Sequence, residues 1–220
     1  MSSNLNRDLV RIGMRLSLPD ASSAKDGGDA DIEDTLIRAI LRFPEDHRLA
    51  SLVFSWIKVH GSYVIVEKLR KTVERRYPKK DYPEIQWVSA VAAFAADSCS
   101  HKWRKLAKRS RKPVYLFPQD VTESAIALKG SVPWLKKLNF VVPASALRIR
   151  DDDVLSPEKL IETNTQYRNR YLFGPSWRAD IITAIQQGMK TPSEIAKGIG
   201  CSYEPAYRVF HEYMLATGTA

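Results

Sequence analysis

The sequence predicts a mainly α protein made of two helical domains, and three observations support this prediction. Apolar residues recur at helical spacing across residues 31–98. The stretch "TPSEIAKGIGCSYEPAYRVF", residues 191–210, holds two helix starts around a glycine. β-Prone runs are short, and most of them lie in residues 113–150. We therefore expect a helical N-terminal domain with a small β-hairpin, followed by a C-terminal domain of three helices.

Changes in composition predict where these domains begin and end. Residues 1–30 are expected to be a flexible lead-in, because "DASSAKDGGDAD" is rich in Ser, Gly and Asp, although "NLNRDLVRIGMRL" is compatible with a short amphipathic helix. Residues 31–150 then form the basic, mainly helical N-terminal domain. A linker with a helix at 151–175 leads to the C-terminal domain at 176–220.

The N-terminal domain is predicted to be a helical core. Residues 31–42 and 47–60 each carry an apolar face, and "FPED" separates them. "YVIVEKLRKTVERRY" can open as a strand on its β-branched residues but turns helical through Leu69 and Val73, with its cations outward. "YPEIQWVSAVAAFAADS" is apolar and rich in alanine, which is typical of a buried helix.

A basic segment, residues 100–113 ("SHKWRKLAKRSRKP"), comes next and contains no acidic residue. If it is helical, Trp103, Leu106 and Ala107 bury one face and the cations form the other. Such a surface suits backbone phosphates, although a solvated helix edge gives the same pattern. The cations are Lys102, Arg104, Lys105, Lys108, Arg109, Arg111 and Lys112.

Residues 113–175 combine β-prone runs with a return to helix. "LNFVV" and "ALRIR" are separated by three residues, so a hairpin between them is expected. The carboxylates of Asp151, Asp152 and Asp153 cannot all converge on one ion without a turn, and we interpret them as a solvated loop or helix lead-in. Ser156 and Pro157 then restart a helix.

The C-terminal domain shows clear helix boundaries. Ser176 can cap its first helix, and Gly188 ends it. The Thr191 hydroxyl can accept from the Glu194 amide while the Glu194 carboxylate reaches back to the Thr191 amide. Gly200 ends this short helix because glycine tolerates positive φ.

A last helix begins after the capping candidate Ser202, and the pair of helices resembles the DNA-binding helix-turn-helix. "RYLFGPSWRADIITAI" and "TPSEIAKGIG" are similar to bacterial winged-helix transcriptional regulators, including antitoxin-like repressors. A winged helix continues into a two-stranded hairpin, whereas "LATGTA" follows here, so we expect little or no wing. Ala196 is the small residue expected where the helices cross closely. The resemblance rests on Ile195, Ala196, Ile199, Gly200, Cys201, Ala206 and Val209.

The formal net charge of +9 points towards polyanions, and its distribution is uneven. Residues 170–220 carry five cations and four carboxylates, which leaves +1. Residues 58–112 carry fifteen cations and five carboxylates, which leaves +10. The excess charge therefore lies outside the three predicted C-terminal helices.

The resemblance implies a sequence-specific transcriptional regulator whose last helix enters the major groove of DNA. Lys190, Lys197 and the basic segment would contact phosphates, or two copies would pair on a two-fold site as a homodimer. The alternatives are a protein-interaction adaptor or antitoxin and an RNA-binding protein using the basic segment. The residues expected to contact bases are Ser202, Tyr203, Glu204, Tyr207 and Arg208.

Other function classes lack a signature in the sequence. Cys99 and Cys201 are expected to be reduced structural thiols, and the four histidines show no ligand spacing, so we predict no metal site and no cofactor. No nucleophile elbow or phosphate-cradling glycine loop indicates an enzyme. No apolar run approaches the roughly 18 residues that span a bilayer, so we expect no membrane partner and a cytoplasmic location.

Overall fold

The computed structural model describes residues 2–16 and 30–218. This part of the chain forms twelve α-helices and one two-stranded sheet, which confirms the predicted mainly α class. None of the described helices is both long enough and apolar enough to cross a bilayer.

Five helices build the N-terminal core around the buried side chains of Phe43, Trp56 and Trp87. The Asp31 carboxylate caps the second helix by accepting from the Asp34 amide at 2.9 Å. The Phe43 ring meets Trp87 edge to face at 5.9 Å. The helices are α1 (Ser2–Arg11), α2 (Ile32–Ile40), α3 (His47–His60), α4 (Val66–Arg76) and α5 (Trp87–Ser98).

The prediction of a flexible lead-in is wrong for residues 2–16, whereas the short amphipathic helix expected in "NLNRDLVRIGMRL" is present as α1. Leu9 and Ile12 are completely buried in the N-terminal core, and the Trp56 indole donates to the Ile12 carbonyl at 2.6 Å. The Arg15 amide donates to the Asp153 carbonyl at 2.9 Å. Hydrophobic burial and these remote hydrogen bonds hold the segment in place. Met1 and residues 17–29 of the predicted lead-in lie outside the described residues.

The predicted hairpin is also wrong. Strand β1 (Val114–Tyr115) pairs with β2 (Phe140–Val141) in parallel, and the helices α6 (Gln119–Lys129) and α7 (Pro133–Lys137) connect them. "ALRIR" instead runs along α3, where the Ser51 and Ser55 hydroxyls accept from the Arg148 and Arg150 amides at 3.0 and 2.9 Å. Its backbone donors are therefore used by α3 and not by a neighbouring strand.

Residues 151–175 contain the predicted helix, but they belong to the N-terminal core and are not a linker. After a 3₁₀ turn at Asp151–Asp153, α8 (Pro157–Thr163) and α9 (Thr165–Phe173) place Leu160 and Tyr167 in the core. As predicted, the acidic turn is largely solvated, and Asp151 pairs with Lys58 at 2.8 Å.

The last three helices pack around a second apolar cluster of their own, as predicted. They are α10 (Trp177–Gln186), α11 (Pro192–Ile199) and α12 (Tyr203–Thr217), and we call them the three-helix unit. α12 continues to Thr217, and no strand follows it within the described residues.

Candidate nucleic-acid interface

Helix α11 begins and ends where its capping residues predict. The Thr191 hydroxyl accepts from the Glu194 amide at 3.2 Å, while the Glu194 carboxylate accepts from the Lys190 amide at 2.9 Å, one residue before the predicted donor. Gly200 ends α11 in the left-handed region, with φ 77° and ψ 23°. The Thr191 cap thus fixes where α11 begins, and the Gly200 turn fixes where it ends and where the chain turns towards α12.

Small and branched side chains hold the three helices together. Ile181, Ile195 and Val209 are buried between them. Ala206 of α12 is completely buried, whereas Ala196, the predicted close contact, is only half-buried. Ala206 on α12 is therefore the more deeply buried of the two alanines, and the opposite face of α12 is left to solvent.

All five residues predicted to contact bases are exposed at the start and on the outer face of α12: Ser202, Tyr203, Glu204, Tyr207 and Arg208. The predicted cap at Ser202 is not made, since its hydroxyl accepts no capping bond from α12. Tyr203 and Tyr207 remain 55% and 49% exposed, and their ring centroids lie 5.9 Å apart. His211 extends this row at 4.2 Å from Tyr207, and its spacing of four residues could have identified it.

The basic segment is not a regular helix. A 3₁₀ turn covers His101–Lys105, and residues 107–113 contain no further helix. Trp103 is buried as predicted and donates to the Gly61 carbonyl at 3.2 Å, but Leu106 and Ala107 are only half-buried. The indole thus anchors the segment to the core and leaves its cations outside.

All the cations predicted to contact phosphates are exposed, and none forms an ion pair with another described residue. Most cations of α4 are paired, for example Arg70 with Glu74 at 2.8 Å and Arg76 with Asp34 at 2.9 Å. The uncompensated charge is therefore concentrated in the basic segment. The cations concerned are Lys102, Arg104, Lys105, Lys108, Arg109, Arg111, Lys112, Lys190 and Lys197.

The fold brings part of the basic segment next to the three-helix unit. Lys102 and Lys105 line a cleft of about 630 Å³ together with Trp177 at the start of α10. Arg75 on α4 also lies beside the Gly200 turn. Its guanidinium would be 3.9 Å from the Cβ atom of a side chain placed at position 200. Sequence reasoning did not single out Arg75, because nothing local to it indicates the long-range contact with Gly200.

A buried group of charges joins the three-helix unit to the N-terminal core. The completely buried Arg170 guanidinium binds Glu33 at 2.6 Å and Asp180 at 2.8 Å. The Lys68 ammonium contacts Asp180 at 2.6 Å and also pairs with Asp31. We call these five residues the charge cluster. It connects α2, α4, α9 and α10, so it fixes where the three-helix unit sits.

Asp31, Glu33 and Asp180 of the charge cluster lie close enough together to hold a metal ion. They are the only such group of three among the described residues. Burial alone would raise the pKa of Asp180, but Arg170 and Lys68 hold that pKa well below its usual range. Likewise, the three carboxylates overcome burial and raise the pKa of Lys68. The cluster is satisfied by its own cations, which is typical of a structural ion network.

Comparisons with known proteins give no match to a family model, to a curated protein or to a solved structure. The resemblance to winged-helix regulators therefore stays a prediction.

Proposed function

We propose that the chain is a sequence-specific DNA-binding transcriptional regulator. The observation that supports this most is the exposed row on α12, where Tyr203, Glu204, Tyr207 and Arg208 face solvent on a helix set by the Gly200 turn. Arginine can donate to guanine, glutamate can accept from cytosine, and tyrosine can contact thymine methyls or phosphates.

In this proposal α12 supplies selectivity and the basic segment supplies affinity. The three-helix unit is nearly neutral, so α12 alone would displace few counterions from DNA. The exposed cations of the basic segment have no carboxylate partner in the described chain, and Lys102 and Lys105 lie beside α10. The charge cluster would keep the two surfaces at a constant separation.

Selection from a random duplex library, followed by mobility shifts, tests the proposal. We expect an enriched motif, and Arg208→Ala should relax one position of it by about 1–3 kcal/mol. Arg178→Ala is a matched control, because Arg178 pairs with Glu212 on the surface and should leave the motif unchanged. Absence of any enriched motif at low salt would contradict the proposal.

RNA binding by the basic segment would give a different result. Lys105→Glu with Lys108→Glu would then abolish binding, while Arg208→Ala would have no effect. For a DNA regulator, the same double reversal should lower the salt slope of log Kobs by about 2 and retain the motif.

The adaptor or antitoxin alternative is favoured by apolar surface on the three-helix side of the molecule. Tyr171, Leu172 and Phe173 at the end of α9 are between 48% and 66% exposed. Phe210 and Met214 line an open groove of about 510 Å³ between α10 and α12. Such surfaces suit a protein partner or a second copy of the chain. Sedimentation equilibrium on the full chain distinguishes a homodimer from a monomer.

A further inference from the structure

A second cleft lies between α4 and the basic segment, and we call it the α4 cleft. It has a volume of about 440 Å³, and Val73, Ile85, Val88, Leu106 and Phe140 contribute an apolar floor. Pockets of this size are typical of small-molecule sites. Arg70 and Leu106 separate it from the cleft beside Trp177.

The rim of the α4 cleft is strongly cationic. Its single carboxylate, Glu74, is held by both oxygens on Arg70 at 2.8 Å, so these two charges cancel. The other rim cations form no ion pair within the described chain. They are Lys79, Lys108, Arg109 and Arg111.

The loop that carries three of these cations is held in shape by Asn139. This residue adopts a left-handed φ of 64°, and its side-chain amide donates to the Ser110 carbonyl at 2.7 Å. Arg109 donates back to the Asn139 side-chain oxygen at 3.3 Å. The Ser110 amide also donates to the Leu138 carbonyl at 3.0 Å. The cations are thus presented by an ordered loop, which lowers the entropic cost of binding an anion.

We infer that the α4 cleft binds a phosphorylated small molecule of the size of a nucleoside polyphosphate. Lys79, Lys108, Arg109 and Arg111 would hold the phosphates, since guanidinium groups bind phosphate oxygens in pairs. The base would lie on the apolar floor near Val73 and Leu106. The backbone of a duplex would need only the rim, because its bases are stacked and cannot enter the floor.

Binding of this ligand would oppose binding of DNA. Lys108, Arg109 and Arg111 also belong to the basic segment that we propose to contact DNA phosphates, and they cannot serve both ligands. Each ligand would therefore weaken the other by the same factor. This competition rests on the proposed function, whereas the occupancy of the cleft does not.

Titration calorimetry of the full chain at low salt, with ATP and with inorganic pyrophosphate, tests the inference. We expect saturable binding of both, with ATP the tighter. Arg109→Gln together with Arg111→Gln should weaken ATP by at least about tenfold. Arg104→Gln is the matched control, because it removes a cation of the same segment that does not line the cleft.

A second variant leaves the charge unchanged. Ser89 lines the cleft and is half-buried, so Ser89→Phe fills the floor while keeping every cation. We expect it to weaken ATP much more than pyrophosphate, and thermal melting checks that each variant is folded. Absence of saturation by either probe, or equal losses in Arg104→Gln and in the cleft variant, would overturn the inference.

Mobility shifts with duplex DNA separate the two proposals. If ATP binds in the cleft and displaces duplex, both are supported. Duplex binding without ATP binding would overturn the cleft site and leave the DNA proposal standing. ATP binding without any duplex binding would overturn the DNA proposal and leave the cleft site standing.

Discussion

Replacing Arg170 by methionine tests whether the charge cluster holds the molecule together. The guanidinium is completely buried and makes four bonds of 2.6–2.8 Å to Glu33 and Asp180. Methionine preserves much of the apolar stem but leaves three carboxylates facing Lys68 alone. Removing one partner of a buried ion pair costs about 3–5 kcal/mol, because the remaining charge is left without compensation. We expect the free energy of unfolding to fall by that amount.

The matched control is Arg178→Met, which removes the same kind of side chain from an exposed pair. Arg178 lies 2.5 Å from Glu212, and both side chains are about half exposed. Such pairs contribute about 0–1 kcal/mol. Urea unfolding at neutral pH, followed by far-UV circular dichroism, compares the two variants with the parent chain. If Arg170→Met loses no more than Arg178→Met, the cluster is not the desolvated network described above.

The same variant should be more sensitive to acid. Asp180 has a folded pKa well below its ordinary value of 3.8, so its contribution to stability is present above that value and is lost as the pH falls below it. Without Arg170 the pKa of Asp180 rises, and acid unfolding should begin at a higher pH. An unchanged acid midpoint would contradict this reasoning.

Two further predictions concern other positions. Gly200→Ala should lower the free energy of unfolding by about 1–2 kcal/mol in urea titrations, because alanine is strained at φ 77°; a neutral result would show that the turn relaxes. Burial lowers the pKa of His60 to about 4, so its ring should titrate near that value by NMR and not near 6.5. Because an unfolded histidine takes up its proton first, stability should fall by as much as about 3 kcal/mol as the pH drops from 6.5 to 4. Titration near 6.5 would show that the ring is solvated.

The parts of the fold that could be predicted depend on neighbours in sequence. The Thr191 cap and the Gly200 turn follow from residues three or four positions apart, and both are observed. The hairpin prediction failed because β propensity does not identify a partner, and Phe140 pairs with Val114 across two helices.

The candidate site also has features that local sequence predicts and features that depend on tertiary packing. Exposure of the α12 row follows from helical periodicity, and the cations of the basic segment are visible as a run in the sequence. The α4 cleft is not visible there, because it forms only when Lys79 and Arg109 are brought together by tertiary packing. The contact between Arg170 and Glu33 joins residues 137 positions apart, and two buried opposite charges carry no periodic signal.

The charge cluster determines how the molecule can be divided into fragments. A cut after residue 175 would separate Asp180 from Arg170 and Lys68, although the apolar cores on either side are distinct. The shorter piece would expose an acidic group shaped to receive two cations, and the longer piece would keep those cations with one carboxylate fewer. The three-helix unit expressed by itself would therefore carry Asp180 facing water, without the ion pairs that hold the unit against the N-terminal core.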